Sequence, residues 1–252
     1  MENSVPESLF SRQLLLPEIG PEGQHTLSRA HVAIVGLGAV GSRTAELLCR
    51  AGVGRLTLID RDFVEFSNLP RQTLYTWSDA GQTMPKVEAA RRHLNRIMPA
   101  CNVFPRHASL GETNVGELLS GAQVVADGTD NLETRYMVND WCVSNGIPWV
   151  YAGAVGTRAS VFPVLGSGAC LRCFFPDRPR PEDVPGCDPE GVLGTAAALA
   201  AAQSATLVIR IIVGDRPEPV WRTWDVWTGE QSSIDAGRLK ASRGAQCPLC
   251  DK

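Results

Sequence analysis

Three groups of residues have the types and spacing to do chemistry. A glycine-rich turn, 36-GLGAVG-41, is followed by Asp60 and then by the cationic stretch 67-SNLPRQ-72, with Lys86 further on after 81-GQTMP-85. Gly36, Gly38 and Gly41 fit G-x-G-x-x-G. In that motif one glycine permits the tight turn, one lets the backbone approach a phosphate, and one packs helix on strand, while an acidic residue about 20 positions further on accepts from ribose hydroxyls. A helix beginning here aims its positive end at an anion. This much supports a nucleotide without choosing between a dinucleotide and ATP. The SNLPRQ stretch favours the triphosphate: Arg71 can grip phosphate oxygens bidentately, Asn68 can donate an amide proton beside it, and Lys86 supplies a point charge from another direction. At 127-DGTDN-131 an apolar run empties into Asp130 and Asn131. Asp130 is either a helix cap or a ligand for Mg²⁺ at the phosphates.

The second group is CLRC at 170–173 and CPLC at 247–250. Two C-x₂-C pairs give the four thiolates of a closed tetrahedral zinc site, with Zn–S bonds of about 2.3 Å and no open position for water. The expected zinc is therefore structural, bound by Cys170, Cys173, Cys247 and Cys250, and staples the C-terminal tail to the end of a sheet domain. The third group is the single residue Cys187, in the Pro/Gly-rich stretch 176–191 among acidic neighbours. It reads equally as a nucleophile for thiol transfer and as a structural cysteine; the flanking acids work against a reactive thiolate.

The elements that must position these groups alternate as a parallel sheet requires. HVAIV (31–35), LTLID (56–60), QVVAD (123–127) and a strand beginning at PWVYA (148–152) read as buried strands. Helices are expected over about 39–51, over the KVEAARRHLNRIMP segment with Val87, Ala90, Leu94 and Ile97 on one face, and from Asn131 to about Ser144. The order is that of an α/β doubly wound, mostly parallel Rossmann-like sheet, with a zinc-stapled C-terminal extension. Ligands of such sheets sit outside the carboxyl ends of the strands. The 252 residues read as one unit over 1–252, with a nucleotide-binding core at about 30–165 and a crossover and zinc-bearing part at about 166–252.

A formal net charge of −3 removes the general argument for nucleic acid or an anionic membrane as partner. The apolar window 192–214 is Ala-rich and broken by Gln203, Ser204 and Arg210, so it reads as a buried or dimer-facing helix rather than a bilayer span. The N-terminus lacks the basic-then-apolar pattern of a signal peptide, which makes the cytoplasm the expected location.

Taken together, 11-SRQLLLPEIGPEGQ-24, GLGAVG, 52-GVGRLTLIDRDFVEFSNLPRQ-72, PK at 85–86, 130-DNLETRYMVND-140, CLRC, the C-x-x-x-G-V-L-G that starts at Cys187, and CPLC resemble the ThiF/MoeB/HesA family, bacterial relatives of ubiquitin-activating enzymes. The resemblance implies ATP-dependent adenylation of the C-terminal glycine of a small β-grasp sulfur carrier or ubiquitin-like protein ending in Gly-Gly, serving thiamin, molybdopterin or tRNA thiolation, or conjugation. It gives Asp60 to the ribose, Asn68, Arg71 and Lys86 to the phosphates and Asp130 to Mg²⁺. Asp62, Gln72, Asn131 and the backbone at Ala39 complete the nucleotide set. Arg12 resembles the family's arginine that reaches the phosphates of the neighbouring subunit, which makes a homodimer part of the site. The sequence stops two residues past Cys250, so any sulfur donor is expected to be a separate protein. Three positions depart from the family pattern: Ala39 stands where a glycine is common, GQTMPK is looser than V-G-x-P-K, and TAAALAAAQSA replaces a glycine- and valine-rich helix. None removes a charged group. Two rival readings remain: a non-catalytic zinc and nucleotide adaptor for a carrier protein, and a nicotinamide dehydrogenase, which offers no use for SNLPRQ.

Overall fold

The computed structural model describes residues 8–166, 168–176, 191–243, 247 and 249–251. Its described residues form an eight-stranded sheet in the order β3-β2-β1-β4-β5-β6-β7-β8. β1 (His31–Val35), β2 (Arg55–Asp60), β3 (Asn102–His107), β4 (Val124–Asp127) and β5 (Trp149–Val155) run parallel, and β6 (Arg158–Val164), β7 (Val220–Asp225) and β8 (Gln231–Asp235) extend the sheet antiparallel. The sheet is thus doubly wound and mostly parallel, as the alternation of apolar runs predicts.

Alternation along each strand divides the core in two. Val32 and Ile34 of β1 face one layer, built by α1 (Gly20–Arg29), α2 (Ala39–Arg50), α4 (Lys86–Ile97) and α8 (Gly194–Ile212). Ala33 and Val35 face the other, which holds α5 (Val115–Leu118), α6 (Leu132–Ser144), α7 (Leu171–Phe174) and α9 (Ala236–Arg243). Both faces of β1 are covered, which is why HVAIV is continuously apolar rather than alternating. α3 (Trp77–Gly81) is a short turn between β2 and α4, closed by a capping box of Thr76 and Asp79.

Four strands of the sheet are absent from the sequence reading: β3, β6, β7 and β8. β3 carries Pro105 and is mostly exposed, which an edge strand tolerates because one side of its ladder is unpaired. β5 and β6 form a hairpin across Gly156 and Thr157, with Val155 opposite Arg158 and Gly156 at φ +58°. α8, the Ala-rich window, is long and apolar enough to cross a membrane by length and composition. Its Ala196, Ala197, Ala200, Ala201 and Ala205 are buried, and their small side chains bring it close to α2, β5 and β6.

The site-bearing end of the sheet is drawn together by glycines. Gly36, at φ +83°, ends β1, and a Cβ there would lie 2.7 Å from the Gly128 carbonyl carbon. A Cβ on Gly41 would lie 1.8 Å from the Gly36 oxygen, and one on Gly128 would lie 2.5 Å from both the Gly36 oxygen and the Gly41 Cα. The turn after β1, the first turn of α2 and the loop after β4 therefore touch through backbone alone. Gly128→Ala is expected to lower folding stability by about 1–3 kcal/mol, the cost of overpacking a filled site, read as a lower denaturant midpoint with an unchanged slope.

Candidate active site

The glycine turn and Asp130 follow β1 and β4 and Asp60 ends β2, three neighbouring parallel strands, so all three lie at the carboxyl ends of the sheet's strands. α2 starts there, with Gly38 as its N-terminal flanking residue and Ala39 as its first residue. Gly38 differs from the other two glycines. A Cβ on it would meet nothing nearer than 3.9 Å, so no protein contact explains its lack of a side chain. The open space on that side is what a phosphate approaching the backbone needs.

Asp60 holds this loop. Its Oδ2 accepts from the Leu37 backbone N–H at 2.6 Å and its Oδ1 from that of Asp62 at 2.7 Å. Tyr75, buried, donates its hydroxyl to the Leu37 carbonyl at 2.8 Å, fixing the turn from the other side. The SNLPRQ stretch folds as a 3₁₀ turn (Phe66–Asn68) whose residues are engaged with one another. The Asn68 Oδ1 accepts from the Glu65 N–H at 3.1 Å, and Arg71 Nη1 donates to the Ser67 carbonyl at 2.8 Å. Gln72 is 97% buried beside the glycine loop, its Nε2 about 4.0 Å from a Gly38 Cβ position, and its Oε1 has no hydrogen-bond partner. Lys86 is buried at the start of α4 and pairs with Asp62 at 3.0 Å. The start of α8 leans on this turn, since a Cβ on Gly194 would lie 3.1 Å from the Pro70 oxygen.

At the end of β4 the helix cap is Asn131, whose side chain accepts from the Thr134 N–H at 2.9 Å. Asp130 is therefore not the cap, and its carboxylate is exposed at the mouth of the loop. The loop is gripped from below by Asp127 and Arg135, both buried and paired at 3.0 Å. Burial pushes the Asp127 carboxyl up against the pull of Arg135 and Thr129. Arg12 lies elsewhere. Its neighbour Gln13 donates to the Ala51 carbonyl at 2.9 Å, past the C-terminal end of α2. The 12 residues of α2 put that point about 18 Å from the glycine loop at a rise of about 1.5 Å per residue. Cys187 falls outside the described residues.

The four paired cysteines meet. Cys170 and Cys247 sulfurs are 3.7 Å apart, Cys173 and Cys250 sulfurs 3.5 Å apart, and all four lie within 4.8 Å of one another. A tetrahedron with bonds of about 2.3 Å has edges of about 3.8 Å, so the donor set could hold a zinc-sized ion. Lys240 lies 3.5 Å from the Cys250 sulfur and pairs with Asp251.

The pattern of the ThiF family matches residues 10–249, which span both the glycine turn and the cysteine cluster. The chain belongs to the ThiF family. Its curated relatives include the sulfur carrier protein ThiS adenylyltransferase of Bacillus subtilis, 40% identical over 96% of this chain and 70% of that protein. A sulfur carrier protein adenylyltransferase of Thermus thermophilus is 36% identical over 96% of this chain and 89% of its own length. The SAMP-activating enzyme E1 of Haloferax volcanii is 36% identical, covering 82% of this chain and 76% of that protein. Among solved structures, MccB of E. coli matches with TM-score 0.82 over 99% of this chain and 74% of that chain, at 22% identity, a likeness of fold.

The sequence reading missed Asp127, Gly128, Arg135 and Tyr75. Gly128 carried a signal, a glycine directly after a buried strand; the other three look like ordinary residues until the loops they hold are known. Burial raises the Asp60 carboxyl above its usual range, against the pull of Lys86 and the two N–H groups. Relative to the unfolded chain the fold thus eases protonation, so this contribution to stability is present at low pH and is lost as pH rises through the folded pKa. Hydroxyl donors are held by the ionised form, so affinity for a ribose-bearing ligand at Asp60 is expected to rise as pH increases from about 4 through the raised value and then level off, and calorimetry on Asp60→Asn should lose that rise.

Proposed function

We propose that this chain adenylates the C-terminal glycine carboxylate of a small β-grasp sulfur carrier or ubiquitin-like protein. The reading is supported by a glycine turn with open space at Gly38, Asp60 and the Asn68–Arg71 turn lying together beyond the carboxyl ends of β1 and β2, in a chain 40% identical to an adenylyltransferase of such a carrier. The carrier's carboxylate oxygen attacks the α-phosphorus of ATP, the bond from that phosphorus to the β-phosphate bridge breaks, and pyrophosphate leaves. No proton needs to move, so the site's work is positioning and charge stabilisation.

In this reading Asp60 takes the ribose hydroxyls, and the N–H groups at Gly38 and Ala39 meet the phosphates at the positive end of α2. Arg71, Asn68 and Lys86 turn to the phosphate chain, with Asp62 and Ser67 giving up partners they hold in the free protein. Gln72 offers its buried amide beside the loop. Asp130, with Asn131 fixing the helix start behind it, would hold Mg²⁺, which neutralises charge on the leaving pyrophosphate. The cysteine cluster would hold structural Zn²⁺.

Arg12 acts across a homodimer in this proposal. Its place beyond the far end of α2 keeps it from its own glycine loop, and Leu9, Leu15 and Leu16 beside it are exposed apolar residues of the kind an interface covers. A sulfur donor from outside would then attack the acyl-adenylate.

Carrier-dependent ATP–pyrophosphate exchange tests the reading. Arg71→Ala and Asp130→Ala are each expected to reduce it roughly 10²-fold or more with the fold retained, and unchanged exchange in either would misplace the phosphates. Mixing inactive Arg12→Ala with inactive Asp130→Ala chains should restore roughly a quarter of wild-type activity, because half of the random dimers are mixed and each has one complete site of two. No recovery after verified subunit exchange would put Arg12 outside the neighbour's site.

The metal assignment is checked separately. Protein purified without chelator should carry about one zinc per chain, and Cys247→Ser should lose it along with thermal stability, since such sites contribute on the order of 10 kcal/mol in small folded units.

A further inference from the structure

Arg135 makes more contacts than pairing a buried aspartate requires. Its Nε donates to Asp127 Oδ2 at 3.0 Å, Nη1 to the Tyr151 hydroxyl at 3.0 Å, and Nη2 to the backbone carbonyls of Thr129 at 2.6 Å and Ala152 at 3.0 Å. Its guanidinium also stacks on the Tyr151 ring, 4.4 Å from the centroid. One cation thus ties the end of β4, the middle of the β4–α6 loop and β5 into a single unit. Asp127 completes the grip: its Oδ1 accepts from the Thr129 N–H at 2.8 Å and from the Thr129 hydroxyl at 2.7 Å. Thr129 therefore has its N–H, its hydroxyl and its carbonyl all held from beneath, and Asp130 is the next residue. The helix cap is taken by Asn131, so the backbone on either side of Asp130 is fixed while its own carboxylate stays exposed.

We propose that Arg135 is a positioning residue for Asp130: by holding Thr129 it aims the Asp130 carboxylate at the site of the metal–nucleotide complex. The proposal rests on the adenylation reading for the identity of that complex, though not for the geometry. A planar fork with five N–H donors can serve four acceptors in three directions, whereas an ammonium cannot span them. Lysine at 135 would keep the charge beside Asp127 and release the Thr129 carbonyl.

A purely structural Arg135 and a positioning Arg135 differ in which ligand feels its loss. The glycine loop and Asp60 bind nucleotide without Asp130, so nucleotide affinity measured in EDTA should stay within about twofold of wild type in Arg135→Lys. The gain in affinity on adding Mg²⁺ should shrink, and the Mg²⁺ concentration that half-saturates exchange should rise roughly tenfold, with kcat falling more than KM for ATP changes. Tyr151→Phe removes one of the four acceptors and keeps the ring, so it should shift the Mg²⁺ requirement in the same direction by a smaller factor. It also stands in if Arg135→Lys does not fold.

A lower thermal midpoint with an unchanged Mg²⁺ response in the folded variants would overturn the proposal and leave Arg135 a structural partner of Asp127. An equal loss of affinity with and without Mg²⁺ would also overturn it, since the whole site would then be distorted. So would a wild type whose nucleotide affinity ignores Mg²⁺. The binding measurements need no carrier protein. If wild-type protein fails to catalyse carrier-dependent exchange yet binds nucleotide with Mg²⁺ as described, the adenylation reading falls while the role of Arg135 is still decided.

Discussion

The structure depends on a contact in which no side chain takes part. Gly36, Gly41 and Gly128 press backbone on backbone, and each would drive a Cβ to within 2.7 Å or less of its neighbour. That contact sets the spacing between β1 with its glycine turn and β4 with its acidic loop, and so it sets how far the start of α2 lies from Asp130. Because backbone groups have few rotamers to adjust, the spacing is rigid. The polar groups around it, Asp60 on Leu37 and Tyr75 on the Leu37 carbonyl, then lock the turn in place.

Much of this was legible in the sequence because it rests on local rules. The buried strands β1, β2 and β4 are short apolar runs ending at glycine or aspartate, and α4 and α6 follow from helical spacing or a turn signal. The three glycines carry their separate jobs in their positions. The paired C-x₂-C motifs gave the cysteine cluster although its halves lie at opposite ends of the C-terminal part. The illegible parts depend on partners distant in the chain. β3 reads NVFPRH, without alternation and with a proline, and is a strand only because β2 offers it an edge. β7, VWRTWD, gains its register from β6, and β8, QSSID, gains its register from β7. Asp127 and Arg135 look like surface charges until β4 and β5 bury them together.

α6 joins the two chemical ends of the molecule. Its first turns carry Arg135 to the nucleotide loop, and the residues that follow turn to the cysteine knuckle. Tyr136 donates to the Phe175 carbonyl at 2.8 Å, Asn139 Oδ1 accepts from the Leu171 N–H at 2.9 Å, and Asp140 receives Arg172 through two bonds at 2.8 and 2.6 Å. The helix has only a weak division into polar and apolar faces because most of its sides are in use. It is fixed by specific hydrogen bonds at both ends rather than by one greasy stripe. The cysteine cluster therefore does more than tie down a tail: it anchors the short helix α7 against which α6 is aligned.

The cationic side of the site follows a different logic. In the free protein Lys86 is paired with Asp62, Arg71 with the Ser67 carbonyl, and Asn68 with the Glu65 N–H. Buried or half-buried cations without partners would be costly, and on the proposed reading, in which this turn meets a triphosphate, these internal partners are stand-ins for it. These stand-ins are weaker acceptors than phosphate: one exposed carboxylate and one backbone carbonyl. On that reading, arrival of a triphosphate would exchange one set of bonds for a stronger charge-assisted set without leaving any cation stranded at either stage. A dinucleotide, with its charge already met by the glycine loop, would gain little from that exchange. On that reading the arrangement that keeps these cations paired would also discriminate by charge, through Asn68 and Arg71 on one turn and Lys86 at the start of α4.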